Sequence, residues 1–296
     1  MAEVVPFGGN YDALAKLVGT PADKLLADDL AEAERMPTRW FTQKNGELVA
    51  AAALTPWPNG EYWVEFFGEW DDIGAVQLLE AAVAEAQQRG IPEIWVGSAS
   101  EKGNAWNTAQ GFQKRREVAL QRCQLPELDL VTITAPVPEG LRLASLADLA
   151  EDSERDRKVY KLEQKLHQQI PGSENWNWSF EDFWHNNMGS EAYDPNLYLV
   201  LIDQTSGDYV GLHRIWLNPE EPRIGMTAVL PEWRRCGGAL AMKTEGMRRL
   251  VARGFATVRT ENDSDNEPIL RLNARLGFTP SEEISSFWSL ALEETP

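Results

Sequence analysis

The stretch Arg234-Arg235-Cys236-Gly237-Gly238-Ala239-Leu240, RRCGGAL, stands between GMTAVLPEW (225–233) and AMKTEGMRRLVARGF (241–255). Downstream of it, Leu240, Thr244, Met247 and Val251 recur at helical steps, and Gly254 is placed to end the helix. Upstream, RIGMTAVL (223–230) reads as a strand, and FATVRT (255–260) reads as the strand that follows the helix. A short helix over 268–276 then runs into Gly277-Phe278. A strand that feeds small residues into a helix start makes an anion site. The first N–H groups lack intrahelical partners, and the helix dipole adds partial positive charge. Gly237, Gly238 and Ala239 let an anion approach the backbone, while Arg234 and Arg235 add charge at the rim. The spacing excludes two common nucleotide loops. Lys243 follows Met242 rather than a glycine, so no Gly-Lys-Ser/Thr ending exists, and G-x-G-x-x-G is absent.

The first half repeats this order. YWVEFF (62–67) reads as a strand, Gly74 opens a helix that Gly90 ends, EIWVGS (93–98) is the next strand, and a short helix meets Gly111-Phe112. Gly237 lies 163 residues after Gly74, Gly254 164 after Gly90, and Gly277 166 after Gly111. Such near-constant offsets argue for duplication. The joint is placed in the proline-bearing stretch 124–140, giving domains 1–130 and 131–296, and a helical segment is expected over 144–172. Aromatics crowd around Trp176, Trp178, Phe180, Phe183 and Trp184, most of them as packing residues.

At these residues the chain resembles the GNAT superfamily of acyl-CoA-dependent N-acyltransferases. The family pattern is a strand ending in Val, a Pro, then Arg/Gln-x-x-Gly-x-Gly/Ala opening a helix; here it reads Val229, Pro231, Arg234, Gly237, Ala239. A second mark, Asn followed seven residues later by Tyr and then Gly-Phe, reads Asn266, Asn273, Gly277-Phe278, with Asn in place of Tyr. The resemblance implies an α/β fold with a mixed sheet, two GNAT-like domains in tandem, and acetyl-CoA as cosubstrate. It implies that Ala228, Val229 and Leu230 line the coenzyme arm. It further implies that Arg234, Arg235, Cys236, Gly237, Gly238 and Ala239 grip its diphosphate, and that Asn266 touches the arm. The implied reaction is transfer of an acetyl group to an amine of unspecified identity. A non-catalytic acyl-CoA sensor and a pseudoenzyme scaffold are the alternatives.

The first copy departs from that pattern. Glu69, Asp71 and Asp72 surround the loop before Gly74, and Ser100 occupies the position of Asn266. Like charges ~4 Å apart at an effective dielectric of ~20 repel by about 4 kcal/mol. The first domain is therefore expected not to bind coenzyme A.

Acyl transfer needs a deprotonated amine, donors for the developing oxyanion and a route for the thiolate to leave. Asn273 has no proton to release near neutral pH, although its amide can hydrogen-bond a thiolate or order the loop 261–268. A thiol of pKa ~8.5 is a tolerable leaving group without an acid. His213, on the expected strand YVGLHRIW, is the candidate base; Glu163 and Glu174 are no better supported. A covalent route through Cys236 is conceivable because a helix start lowers a thiol's pKa, but coenzyme phosphates would cover it.

Composition bounds the rest. The 296 residues carry 46 acidic and 28 basic side chains, a net charge of −18, which repels phosphate backbones, so nucleic acid is not an expected partner. Twelve tryptophans and 43% apolar residues can fill real cores. Two cysteines, Cys123 and Cys236, offer neither a disulfide framework nor a metal spacing, so no metal is expected. MAEVVPFGGNYDAL has no basic leader region and no apolar run could span a bilayer, so a cytoplasmic protein without a membrane partner is expected. The oligomeric state is left open.

Overall fold

The computed structural model describes residues 3–31, 36–57, 59–68, 72–128, 133–170, 176–218 and 221–293. The chain divides into two compact units, Met1–Glu117 with Ser285–Pro296, and Val118–Ile284. The sequence places one joint near residue 130, whereas the chain changes unit twice, inside two long strands. Strand pairing is the reason. Val118–Gln124 pairs antiparallel with Thr257–Asp263 of the second unit, and Ser286–Ala291 pairs antiparallel with Glu93–Ser98 of the first.

The first unit contains β1 (Glu3–Pro6), α1 (Tyr11–Val18), α2 (Ala22–Ala31), β2 (Thr38–Lys44), β3 (Glu47–Pro56) and β4 (Tyr62–Gly68). These are followed by α3 (Asp72–Gln88), β5 (Glu93–Ser98), α4 (Glu101–Ala109) and the start of β6 (Gln113–Gln124). Strands β1 to β4 form an antiparallel run, and β4 meets β5 in parallel at Trp63↔Trp95. Strand β3 carries four successive alanines, Ala50 to Ala53, all buried, because it is covered on both faces. Alanine's helical preference loses here to burial in mid-sheet. The core gathers Leu54, Val64, Ala82, Ile94 and Trp106, with Phe66 packed against them.

The second unit contains the rest of β6, then β7 (Leu141–Ser145), α5 (Arg155–His167), α6 (Phe180–Phe183), a π-helical turn (Trp184–Met188), β8 (Tyr198–Asp203) and β9 (Tyr209–Trp216). After these come β10 (Arg223–Val229), α7 (Gly238–Ala252), β11 (Thr257–Asp263), α8 (Glu267–Arg275) and the first part of β12 (Thr279–Ala291). Strands β7, β8, β9 and β10 pair antiparallel in order, β10 pairs parallel with β11, and β11 antiparallel with β6. The strand–helix–strand–helix order β10-α7-β11-α8 matches β4-α3-β5-α4 of the first unit.

Two expectations shift. The helix expected over 144–172 shortens to α5, because Ser145 and Asp148 close a local turn: Asp148 Oδ2 accepts from Ser145 N at 2.9 Å and from Ser145 Oγ at 2.7 Å. On α7, Val251 is exposed and Leu250 takes the buried place expected of it. The aromatic cluster is packing: Phe183 is fully buried, and Tyr160 meets Trp176, Phe180 and Phe183 at 5.5 to 6.0 Å, while Trp184 is exposed. Among the described residues no helix is long and apolar enough to cross a membrane.

Candidate functional site

The site starts from a glycine. At Gly225 an added Cβ would lie 2.3 Å from Trp216 Nε1 and 3.1 Å from Arg214 Nε, so no larger residue fits. The register between β10 and β9 slips here, between Ile224 and Met226, as a β-bulge. On its other edge β10 pairs with β11 through Arg223↔Arg259 and Ile224↔Thr260, and the two strands then part. A narrow cleft opens between them, lined by Ile224 to Thr227 of β10, Thr260 to Asn262 of β11, Ile269 of α8 and Lys243 of α7.

The strand alternates its hydrogen-bonding groups between its two edges. Leu230 N donates to Val210 O at 2.9 Å, on the β9 side. Thr227 and Val229 therefore turn their backbone groups toward the edge that β11 has left. Of the three strand residues expected to line an arm, Val229 presents its amide there, whereas Ala228 and Leu230 turn theirs toward β9.

Beyond β10, the turn Pro231–Trp233 leads into the glycine loop. Arg235 sits at φ 62° and Gly237 at φ 96°, the left-handed region that glycine adopts at little cost. At Gly238 a Cβ would lie 2.6 Å from Leu201 Cδ1, so this glycine brings the helix start close to β8. The first i to i−4 bond of α7 runs from Ala241 N to Gly237 O at 3.0 Å. No side chain caps this end and no acidic residue stands in its first turn, so the orphan amides and the dipole are left uncompensated. Arg234 Nε donates to Val229 O at 3.0 Å and ties the loop to the strand end. Arg235 is exposed, and Cys236 is exposed with its Sγ 2.9 Å from Trp233 O. Ala228, Val229, Leu230 and Arg234 to Ala239 thus form one continuous strand end, loop and helix start.

The other expected residues lie elsewhere in this unit. Asn266 caps α8, its Oδ1 accepting from Ile269 N at 3.4 Å. Asn273 is fully buried, and its two amide hydrogens go to Gln121 Oε1 at 2.7 Å and Asn262 Oδ1 at 2.8 Å. Of the two roles the sequence leaves open for Asn273, this geometry supports the ordering one.

His213 does not fit the role of base. Its ring is fully buried beneath α7, where a Cβ at Gly246 would meet Nε2 at 2.6 Å, and its Nδ1 is hydrogen-bonded to Thr227 Oγ1 at 2.8 Å. Burial, with the Lys243 charge adding to it, pushes its pKa down to about 3. A neutral ring closed off from the cleft cannot collect an amine's proton near neutral pH. Glu163 is also sealed: Tyr198 Oη and Arg214 Nη1 donate to its Oε1, each at 2.5 Å, and His167 Nε2 lies 3.3 Å from its Oε2. Burial raises its pKa, but Arg214 and the hydrogen bonds outweigh it and hold it lowered. Glu174 lies outside the described residues.

In the sequence Lys243 serves only to exclude a Gly-Lys-Ser/Thr loop, and the structure gives it a place at the cleft. It is fully buried, lines the cleft, and its Nζ donates to Asn273 Oδ1 at 2.5 Å. Burial pulls its pKa from 10.5 down to about 7, opposed in part by Cys123. The available signal was a lysine within the apolar run LAMKTEGM, three residues after Leu240 and four before Met247.

Residues 157–278 match the acetyltransferase (GNAT) family. This GNAT segment holds the bulged strand, the glycine loop, the cleft and Asn273. The chain is 26% identical over 203 residues to the mycothiol acetyltransferase of Clavibacter michiganensis subsp. michiganensis, covering 68% of this chain and 62% of that protein. It is 29% identical over 242 residues to the mycothiol acetyltransferase of Corynebacterium aurimucosum, covering 73% and 79%. Among solved structures, a GCN5-related N-acetyltransferase from Sphaerobacter thermophilus superposes with a TM-score of 0.72 at 18% identity, covering 99% of this chain and 96% of that one. A tandem GNAT protein from the clavulanic acid biosynthesis pathway superposes at 0.70, with 18% identity over the whole of both chains. The GNAT fold in tandem arrangement is therefore the fold of this chain.

Proposed function

We propose that the second unit transfers an acetyl group from acetyl-CoA to the amine of a small molecule. The observation that carries this reading is the unpaired edge of β10, which leads from the uncapped start of α7 into the cleft beside Lys243. Acetyl-CoA fits the donor set. The amides at the start of α7, with Arg234 and Arg235, would hold its diphosphate, since the first turn of α7 carries no acidic residue. The free edge of β10 would pair with its amide-bearing arm as an added strand. The names of the curated relatives support acetyl as the group moved.

This chain's residues then have separate tasks. Val229 N–H, on the open edge, is the donor for the oxyanion that develops as the amine adds. An alkylamine of pKa ~10 must arrive neutral or lose a proton to water, because His213 and Glu163 are sealed. The bulge at Gly225 holds the strands apart where the amine enters. Asn273 and Asn266 order α8, which forms one wall.

The first unit serves as scaffold in this reading. The stretch at the carboxylates Glu69 and Asp71 lies outside the described residues. Support comes instead from Phe66 of β4 and Trp106 of α4, whose rings meet at 5.5 Å within the first core. These elements correspond to β10 and α8, and their aromatic contact occupies the space between β4 and α4.

Coenzyme A release across a panel of amines, followed with a thiol reagent, tests the activity. Turnover on at least one amine is expected. Tight acetyl-CoA binding with no turnover on any of them would favour the sensor, and absence of binding the scaffold.

A further inference from the structure

Lys243 is a fully buried amine in the lining of the cleft where strands β10 and β11 part. We propose that Lys243 Nζ is the proton donor to the leaving sulfur in acetyl transfer, an inference that rests on the function proposed above. Among the described residues lining the cleft it is the basic one, and the others offer apolar, hydroxyl and amide groups and the Glu261 carboxylate. An ammonium has three hydrogens. One is given to Asn273 Oδ1 at 2.5 Å, and Asn273 is itself fixed by Gln121 and Asn262. Asn273, itself held by the buried Gln121 and the half-buried Asn262, thus fixes one nitrogen at the cleft wall, as a positioned donor requires.

The step balances. The bond from the acetyl carbon to the amine nitrogen forms and the carbon–sulfur bond breaks, its electron pair staying on sulfur. A proton moves from Lys243 Nζ to that sulfur, giving the free thiol, and neutral Lys243 then regains a proton from solvent. The surplus proton of the amine goes to water.

The surroundings tune the donor. Burial lowers Lys243 to about 7, Cys123 of β6 opposes this, and the Lys243 charge disfavours protonation of His213 on β9. Glu261 of β11 lines the same cleft, and the Phe278 ring lies 5.2 Å from Nζ. The ammonium lowers the thiol of pKa ~8.5 and the thiolate raises the amine by as much, so the proton passes between nearly matched partners. An arginine at this position would keep the charge and hold its proton.

The test is the thiol titration of bound coenzyme A, read by thiolate ultraviolet absorbance in the full chain, in wild type, Lys243→Met and Lys243→Arg. Wild type should bring the bound thiol's midpoint at least about one unit below its free value, as a neighbouring cation does. Lys243→Met should return it to the free value or above. Lys243→Arg should keep the lowered midpoint yet slow acetyl transfer about 10²-fold, the usual worth of a positioned acid. If Lys243→Met does not fold, wild type and Lys243→Arg decide. A bound thiol that titrates alike in wild type and Lys243→Met, or at its free value in wild type, overturns the inference and leaves coenzyme binding intact. Full turnover in Lys243→Arg overturns it as well. Failure of wild type to bind coenzyme A would instead overturn the proposed function, and this inference with it.

Discussion

Lys243 Nζ, on α7, donates to Asn273 Oδ1, on α8, across 2.5 Å inside the second unit. Both residues are fully buried, and the two amide hydrogens of Asn273 are spent on Gln121 and Asn262. A polar network of this kind is stable only while every member is satisfied.

Asn273→Ala should therefore cost more than its size implies. It leaves Lys243 and Gln121, both buried, and the half-buried Asn262 short of a partner, and each orphaned buried group costs about 1–3 kcal/mol. A loss of roughly 3 kcal/mol or more in urea unfolding is expected, with an unchanged m-value. A loss below about 1 kcal/mol would mean that water replaces the amide.

The lowered pKa of Lys243 makes stability depend on pH in a fixed direction. Above 10.5 the amine is neutral folded and unfolded, so burial costs nothing through charge. As pH falls from 10.5 to about 7, the unfolded chain takes up the proton and the native chain does not. Stability falls across that window, by at most about 1.4 kcal/mol per pH unit, and levels off below it. Wild type measured against Lys243→Met should gain stability between pH 7 and 10. A flat difference would show an ordinary, solvated lysine.

His213 acts lower on the scale with the same sign. Its pKa drops from 6.5 to about 3, so native stability falls as pH falls through that range. His213→Asn, which keeps a polar partner for Thr227, should reduce acid sensitivity between pH 6.5 and 3. Unfolding midpoints of the two proteins along that range provide the check.

Gly246→Ala places a Cβ 2.6 Å from His213 Nε2 and 3.0 Å from Ile215 Cδ1. Overpacking costs about 1–3 kcal/mol, against a gain of ~1 kcal/mol in helix propensity. The variant should be destabilised in wild type and less so in a His213→Ala background. Additive effects would contradict the contact.

Cys236 is exposed in the glycine loop while Cys123 is buried. A thiol reagent should label Cys236 first, and acetyl-CoA should slow that labelling if its phosphates lie over the loop. Unaltered labelling rates at saturating acetyl-CoA would place the ligand elsewhere.

Much of this was legible in the sequence, and the misses share a cause. The glycine spacing gave both strand–helix–strand–helix units because glycine marks backbone geometry, a local property. RIGMTAVL became β10 and the run from Gly238 became α7 nearly at the expected bounds. The division of the chain was not legible, since β6 and β12 change partners halfway and strand pairing is non-local. His213 invited a reading as base because histidine titrates near neutrality, but only the packing of Gly246 against it shows the ring sealed. Lys243 hid inside an apolar helix face, where a lysine reads as exposed until its acceptor, Asn273, is seen 30 residues on.

The most direct measurement is a calorimetric titration of acetyl-CoA into the full chain and into Arg234→Glu. One molecule should bind per wild-type chain, and the variant should bind at least tenfold more weakly, because it puts a carboxylate at the uncapped start of α7. Two molecules per chain, or equal affinity in both proteins, would contradict a single diphosphate site at Gly237 to Ala239.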